Sequence, residues 1–150
     1  WRHLADAAAL FPDLLPPSPV STSGFDAMIC SGTGPYVEEK DRLGFFCTKY
    51  VGDDPEGDVE YLVAVYVYPE DATPSTWDLA PRDPERDSDF VTAQGSDVSV
   101  ESGVKDGEGV AVLRFSSLDG EPRANSLVVV SVPNAKNADR ALEIMKRLPI

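Results

Sequence analysis

The chain is short of basic residues, of histidine and of long apolar runs, and each shortage excludes a class of function. Of its 150 residues, 13 are Lys or Arg and 26 are Asp or Glu, which gives a formal net charge of −13. A chain this acidic repels phosphate backbones and anionic lipid surfaces, so binding to nucleic acid or to such membranes is disfavoured. No apolar run approaches the ~20 residues of a transmembrane helix, so we expect no membrane span within the chain.

Motifs for catalysis or cofactor binding are also scarce. The one histidine, His3, stands beside Arg2 near the start of the sequence and is interpreted as a surface or packing residue. No G-x-S-x-G nucleophile motif occurs, and the glycines of residues 31–34 are followed by Pro35 rather than by a helix that could hold a phosphate. We therefore predict no catalytic residue, no metal and no cofactor.

An acidic run at residues 83–89 invites comparison with a calcium-binding loop. Acids alternate along it, but Ser88 stands where an EF-hand loop needs glycine, and Gln94 stands where it needs glutamate. We interpret this run as a solvated charged segment, and the acidic run at 53–58 as a turn.

The two cysteines, Cys30 and Cys47, lie in segments that are predicted to be strands. Their spacing excludes a C-x-x-C redox motif, and two cysteines with one histidine do not complete a four-ligand zinc site. If the two strands form an antiparallel hairpin, the cysteines can lie opposite each other and form a disulfide, which is typical of an oxidising, extracytoplasmic compartment. The alternative is a pair of reduced, buried cysteines in a cytosolic protein.

The pattern of the whole chain predicts a helix, three strands, an irregular insert, three strands and a final helix. The first helix is expected over residues 1–15, and the last over residues 134–148, where apolar residues recur at helical spacing. The six predicted strands comprise residues 25–30, 43–50, 60–68, 97–104, 110–116 and 125–132.

This order predicts a single α+β domain over residues 1–150, with an antiparallel sheet of about five to six strands and an N-terminal and a C-terminal helix packed on it. The 60–68 strand is rich in β-branched and aromatic residues, so we expect it to be central and buried on both faces. Asp-Gly pairs at 106–107 and 119–120 indicate hairpin turns of a three-strand meander. Residues 70–96 are irregular, apart from one or two helical turns at 73–79.

Aromatic side chains concentrate around the central strands and in the insert. In a strand, Tyr66 and Tyr68 point to one side of the sheet, and the valine between them points to the other. One interpretation is a groove for an apolar or sugar-like ligand that Tyr66, Tyr68 and Trp77 contact and that the insert covers. The other is that these rings form the core beneath the two helices.

The combination of Cys30, Cys47, Tyr66, Trp77 and a helix at 137–147 is similar to small extracytoplasmic domains of high-GC bacteria. Such domains occur as lipoproteins and as the outer portions of membrane-anchored proteins, including receptor-type kinases. The order of elements also resembles the PsbP/Mog1-like fold. The resemblance implies a binding or scaffold role outside the membrane and assigns no catalytic residue to this sequence.

We therefore predict a non-catalytic extracytoplasmic domain, secreted or attached to the cell envelope, that binds an unidentified small molecule or protein. The chain does not begin with Met, so an anchor upstream of Trp1 is compatible with this expectation. Two alternatives stay open: a carboxylate-based hydrolase, with or without a divalent cation, and a structural or oligomerisation module. A pocket holding two carboxyls with raised pKa values would favour the hydrolase, and a large symmetric interface would favour the module.

Overall fold

A computed structural model shows a mostly β-sheet α+β fold and describes residues 1, 4–33, 42–69, 79, 86–116 and 120–150, with only the backbone at 86–89. Two helices are described, α1 (Ala5–Ala8) and α2 (Asp139–Arg147). The described strands are β1 (Ile29–Gly32), β2 (Leu43–Tyr50), β3 (Val59–Val67), β4 (Arg86–Val91), β5 (Asp97–Lys105), β6 (Glu108–Phe115) and β7 (Ser126–Val132).

These seven strands form one antiparallel sheet in the order β1-β2-β3-β7-β6-β5-β4. All six predicted strands are present, and the predicted meander is formed by β5, β6 and β7. The first of the six begins later than expected, at Ile29, because residues 25–27 form a tight turn in which Asp26 and Ala27 have positive φ angles. At the β5–β6 hairpin, Asp106 and Gly107 both have positive φ angles, of 52° and 79°, as the predicted Asp-Gly turn requires. Asp119 of the second predicted turn lies outside the described residues.

The seventh strand, β4, lies in the charged segment that we expected to be irregular and solvated, so that expectation is wrong over residues 86–91. β4 pairs with β5, from Arg86 opposite Ser102 to Val91 opposite Asp97. A charged strand is suited to the edge of a sheet. One of its two edges has no partner strand, and the charged side chains disfavour pairing of that edge with another chain. The helical turns expected at 73–79 lie outside the described residues, except for Leu79.

One face of the sheet, here called the inner face, carries the main core. Tyr61, Val63 and Val65 of β3 point to it and are completely or almost completely buried. The N-terminal segment and α2 cover this face, with Phe11 against Phe115 of β6 and with Met145 among the core residues. The strands place their apolar side chains here because alternate residues of a strand share one side.

The opposite face, here called the outer face, is less completely covered. Leu62, Ala64 and Tyr66 alternate with the buried residues of β3 and are half-buried. β3 has strands on both sides, as its predicted central position requires. Its predicted burial is confirmed for Tyr61, Val63 and Val65 on the inner face, but on the outer face it is only partial. Three strands separate β3 from β4 in the sheet, so the connection between them has to cross it.

Leu79 is the one residue between positions 70 and 85 that the structure describes. Its side chain packs against Val110 and Val112 of β6, which point to the outer face. The outer face is therefore covered near β6 by the chain itself, whereas Phe46 on β2 remains 39% exposed.

Both helices are shorter than predicted. The expected helix at 1–15 is reduced to the four residues of α1, because Pro12 cannot continue a helix and the residues beyond it form turns. The C-terminal helix begins at Asp139 rather than at 134, because Asn134 has a positive φ angle of 54° and cannot belong to a right-handed helix. Neither described helix has the length and the hydrophobicity that crossing a membrane requires.

A disulfide joins Cys30 of β1 to Cys47 of β2. The two residues are directly opposite each other in the antiparallel pair, with their Cα atoms 4.0 Å apart, and both are completely buried. The predicted disulfide is confirmed, and the alternative of two reduced cysteines is wrong.

We expect loss of this bond to lower the free energy of unfolding by about 3 kcal/mol, because the bond closes a loop of 17 positions in the unfolded chain. Urea unfolding with and without reductant measures the effect on the wild-type protein. The double variant Cys30→Ala/Cys47→Ala is the control, since reductant should leave its unfolding midpoint unchanged. Equal midpoints for the oxidised and the reduced wild-type protein would contradict the expectation.

Candidate functional site

A cluster of aromatic rings and one arginine occupies the outer face where β2 begins and β3 ends. We call the set Arg42, Phe46, Tyr66 and Tyr68 the aromatic corner. Tyr66 lies opposite Gly44 in the β2–β3 pair, and Leu43 lies opposite Val67, so Arg42 and Tyr68 follow as neighbours at the strand ends. The period of two along both strands directs all four side chains to the same face.

Gly44 makes room for the ring of Phe46. A Cβ atom at position 44 would lie 3.1 Å from the ring of Phe46 and 3.1 Å from Thr33 Cγ2. The ring therefore leans over the glycine backbone and meets Tyr66 edge to face, with ring centroids 5.8 Å apart and planes at 79°. The sequence Gly44-Phe45-Phe46 thus places one phenylalanine in the core and the next in a ring pair on the outer face.

Arg42 connects the two tyrosines of the corner. Its guanidinium carbon lies 4.4 Å from the centre of the Tyr66 ring, and its Nη1 atom donates a hydrogen bond of 3.1 Å to the Tyr68 hydroxyl. The backbone NH of Tyr68 donates to the carbonyl of Asn125, which anchors the residue beyond the end of β3. Arg42 thus links the two tyrosines at the ends of β2 and β3.

The predicted ligand-binding residues are brought together only in part. Tyr66 and Tyr68 share the outer face and share Arg42 as a partner, whereas Trp77 lies outside the described residues. The core interpretation holds for Tyr61 and Phe45, which are completely buried on the inner face, but not for Tyr66. Sequence reasoning missed the roles of Arg42 and Phe46, although their spacing of two from Gly44 is a usable signal.

A second polar cluster fastens the segment before β1 to the inner side of the sheet. Asp26 Oδ2 accepts a hydrogen bond of 2.5 Å from the buried Tyr61 hydroxyl. Lys49 Nζ donates to the carbonyl and to Oδ1 of Asp26, at 2.8 and 3.3 Å, and to Asp53 Oδ1 at 2.5 Å. Because Asp26 and Ala27 have φ angles of 52° and 53°, these contacts stabilise a backbone conformation that non-glycine residues rarely adopt.

The charges of this cluster shift its pKa values in opposite directions. Burial alone would raise the pKa of Asp26, but hydrogen bonds from Tyr61 and Lys49 and the positive charge of Lys49 outweigh it and lower that pKa. Burial, together with the hydrogen bond to Asp26 and its charge, raises the pKa of the Tyr61 phenol. Both shifts favour an ionised Asp26 beside a neutral Tyr61, which is an anchoring arrangement.

A third cluster surrounds Arg123, which is only 9% exposed. Its guanidinium carbon lies 4.5 Å from the centre of the Phe115 ring, its Nε donates to Glu121 Oε1 at 2.9 Å and its Nη2 donates to Ser96 Oγ at 2.5 Å. Burial tends to raise the pKa of Glu121, but hydrogen bonds from Arg123 lower it below its usual value. The cluster ties the β4–β5 turn to the segment before β7 and is structural.

The acidic runs do not form a cation site in the part of the chain that the structure describes. No three His, Cys, Asp or Glu side chains are arranged to hold a metal ion there. Asp87 and Asp89 lie in the strand β4, so the resemblance of the 83–89 run to a calcium-binding loop is not realised at these two positions. In the 53–58 turn, Asp53 is paired with Lys49. Asp83, Glu85 and His3 lie outside the described residues.

Comparisons with known protein families, with curated proteins and with solved structures find no match to this chain.

The cluster around Asp26 predicts a pH-dependent contribution to stability. Because the pKa of Asp26 is lowered in the folded state, its contribution is present above the unfolded pKa of about 3.9 and is lost as the pH falls through the lower folded value. We expect Asp26→Asn to be less stable than the wild type at pH 7, with a difference that narrows below about pH 4. Thermal unfolding of both proteins between pH 2 and 7 is the measurement.

Asparagine is a suitable replacement because it tolerates the positive φ angle at position 26, so the change isolates the charge. Asp6→Asn, at an exposed acid of α1, is the matched control and should change stability less. A constant difference between wild type and Asp26→Asn at all pH values would show that the contribution does not depend on ionisation.

Replacement of Arg123 by lysine should be costly although it keeps the charge. Lysine cannot reproduce the planar fork that contacts Glu121, Ser96 and the Phe115 ring at once, so we expect Arg123→Lys to lower the free energy of unfolding by about 1–3 kcal/mol. Arg140→Lys, at a side chain that is 42% exposed and paired with Glu60 and Glu143, should cost about 0–1 kcal/mol. Urea unfolding compares the two, and similar losses would contradict the structural role of Arg123.

Proposed function

We propose that this chain is a non-catalytic extracytoplasmic domain that binds a small molecule or a protein partner, and that the aromatic corner is its contact surface. The sheet and α2 form the scaffold, and the corner is held at the ends of two of its strands. Domains of this kind occur as lipoproteins or as the outer portions of membrane-anchored proteins of high-GC bacteria, the group that this sequence resembles.

The exposure of Phe46 is the observation that carries the proposal. Five large apolar side chains of the described residues are exposed, and Phe46 is the one aromatic ring among them, the others being Val20, Val51, Val91 and Val104. An aromatic ring held at the surface by a second ring offers a large contact area with little loss of conformational entropy on binding. The valines lie singly at turns and strand ends, where isolated apolar residues are ordinary.

The disulfide supports the assignment to a compartment outside the cytoplasm. Stable disulfides form in oxidising environments and are rare in the cytosol. The formal charge of −13 supports a partner other than nucleic acid or an anionic lipid surface.

The hydrolase alternative receives less support from the described side chains. A general acid of this type needs a carboxyl with a raised pKa. The two described carboxyls with a clear shift, Asp26 and Glu121, have lowered pKa values and are held by Lys49 and Arg123. The oligomerisation alternative remains a prediction, to be tested by the mass of the protein in solution.

A binding screen with two matched variants tests the proposed function. Wild type, Phe46→Ser and Val51→Ser are screened by thermal shift against oligosaccharides, lipid vesicles and envelope proteins. We expect at least one ligand to raise the melting temperature of the wild type and of Val51→Ser but not that of Phe46→Ser. The proposal fails if no ligand shifts the wild type, or if Phe46→Ser responds as strongly as Val51→Ser.

A further inference from the structure

Resting on the proposed function, we infer that Gly44 is a positioning residue of the contact surface, whose missing side chain orients the ring of Phe46 for binding. Three features carry this role: the ordinary backbone of Gly44, the atoms that surround it, and the contrast with another strand glycine. The role is the same for any partner that contacts the ring.

The backbone of Gly44 does not itself require glycine. Gly44 lies inside β2, and its φ angle is not in the positive range, unlike that of Gly107 in the β5–β6 turn. Glycine in the interior of a strand lowers stability, because it loses more conformational freedom on folding and has no side chain to pack. The reason for glycine at this position therefore lies in what surrounds it on the outer face.

A ring and a methyl group occupy the space over Gly44. A Cβ atom at position 44 would lie 3.1 Å from Cζ and 3.2 Å from Cε2 of Phe46, and 3.1 Å from Cγ2 of Thr33. Thr33 is held there, because its Oγ1 atom accepts a hydrogen bond of 3.1 Å from the Gly44 NH and its own NH donates to the Gly44 carbonyl at 2.9 Å. Tyr66, opposite Gly44 on β3, meets the Phe46 ring edge to face. The ring thus lies over Gly44, between Thr33 and Tyr66.

Another strand glycine, Gly109 of β6, is explained by the packing of the fold. A Cβ atom there would lie 2.5 Å from the carbonyl oxygen of Asn137, so glycine lets the segment before α2 approach β6 closely. Gly44 differs, because the ring that it accommodates is 39% exposed and is not part of the main core. The space over Gly44 therefore serves the position of a surface ring, which is the property expected of a positioning residue.

A ring held in one place is better suited to binding than a mobile one. Contact with Thr33 and Tyr66 restricts Phe46 before any partner arrives, so less conformational entropy is lost on binding. A side chain at position 44 would push the ring away from the sheet and from Tyr66, although the ring would still be present.

Two variants that place the same side chain on either side of Phe46 test this role. Gly44→Val fills the space under the ring, and Thr48→Val places valine on the same face of β2, on the side away from which the ring leans. NOE contacts between the Phe46 and Tyr66 rings report the position of the ring. We expect Gly44→Val to lose these contacts and Thr48→Val to keep them.

Stability should change little in either variant. In Gly44→Val the higher strand propensity of valine offsets the lost ring pair, so we expect a melting temperature within about 3 °C of the wild type. Thr48→Val should stay within the same range. A much larger fall in Gly44→Val would show that Gly44 serves the fold rather than the position of the ring, and would overturn the role.

Binding is then compared by calorimetry with the probes of the thermal-shift screen, namely oligosaccharides, envelope proteins and vesicles of phosphatidylcholine. We expect Gly44→Val to weaken binding about tenfold, as Phe46→Ser does, and Thr48→Val to bind like the wild type. Gly44→Ala displaces the ring by only a few tenths of an ångström and should weaken binding less than Gly44→Val.

The outcomes distinguish this role from the proposed function. If a probe depends on Phe46 but Gly44→Val binds it like the wild type, the positioning role is wrong and the proposed function stands. Retained NOE contacts in Gly44→Val would equally overturn the role. If no probe depends on Phe46, the proposed function and the positioning role both fail.

Discussion

The pairing of Cys30 with Cys47 is the constraint on which the arrangement of the sheet depends. A covalent bond between directly opposed residues fixes the alignment of β1 on β2, and it does so with both sulfur atoms on the inner face. A slip of one residue would exchange the two faces of a strand. The bond therefore holds the register in which Phe45 lies in the core and Phe46 on the surface. Through the pairing of β2 with β3, the same alignment puts Tyr61 inside and Tyr66 outside.

The two faces that result have different roles. The inner face buries a continuous apolar core, and its polar clusters around Asp26 and Arg123 fasten loops to the sheet through short, charge-assisted hydrogen bonds. The outer face is covered near β6 by Leu79 but leaves the aromatic corner accessible near β2. The main apolar core and its polar anchors thus lie on one side of the sheet, and the aromatic corner lies on the other.

Periodicity and turn chemistry predicted most of the fold. The predicted and observed bounds of β2 are the same, residues 43 and 50. This strand was predictable because a segment rich in aromatic residues lies there between two turn-forming segments. The Asp106-Gly107 turn was equally predictable, since its backbone demands positive φ angles. β4 was not, because its run of charges is typical of a solvated loop and becomes a strand only through pairing with β5. The predicted N-terminal helix is too long because Trp1, Leu4, Ala8 and Phe11 recur at helical spacing, whereas only Ala5–Ala8 form an α-helix before Pro12.

Less of the site could be predicted. Tyr66 and Tyr68 were found from the period of two, but their shared partner Arg42 precedes the strand and becomes a neighbour only when β2 and β3 pair. The leaning ring of Phe46 depends on the missing side chain at Gly44, which is visible only in the packed sheet. The anchoring of Asp26 depends on a contact between residues 35 positions apart, which no local pattern encodes.

The crossing of the sheet between β3 and β4 has a consequence for the order of folding. β1, β2 and β3 pair as neighbours in the sequence, and so do β4, β5, β6 and β7, so each group can form from local contacts. The groups meet only along β3 and β7, where Val67 pairs with Ser126 after an excursion of 126 − 67 = 59 positions. Closing so long a loop costs chain entropy before any contact repays it. We therefore expect the β3–β7 pair to form after the pairs within each group of strands.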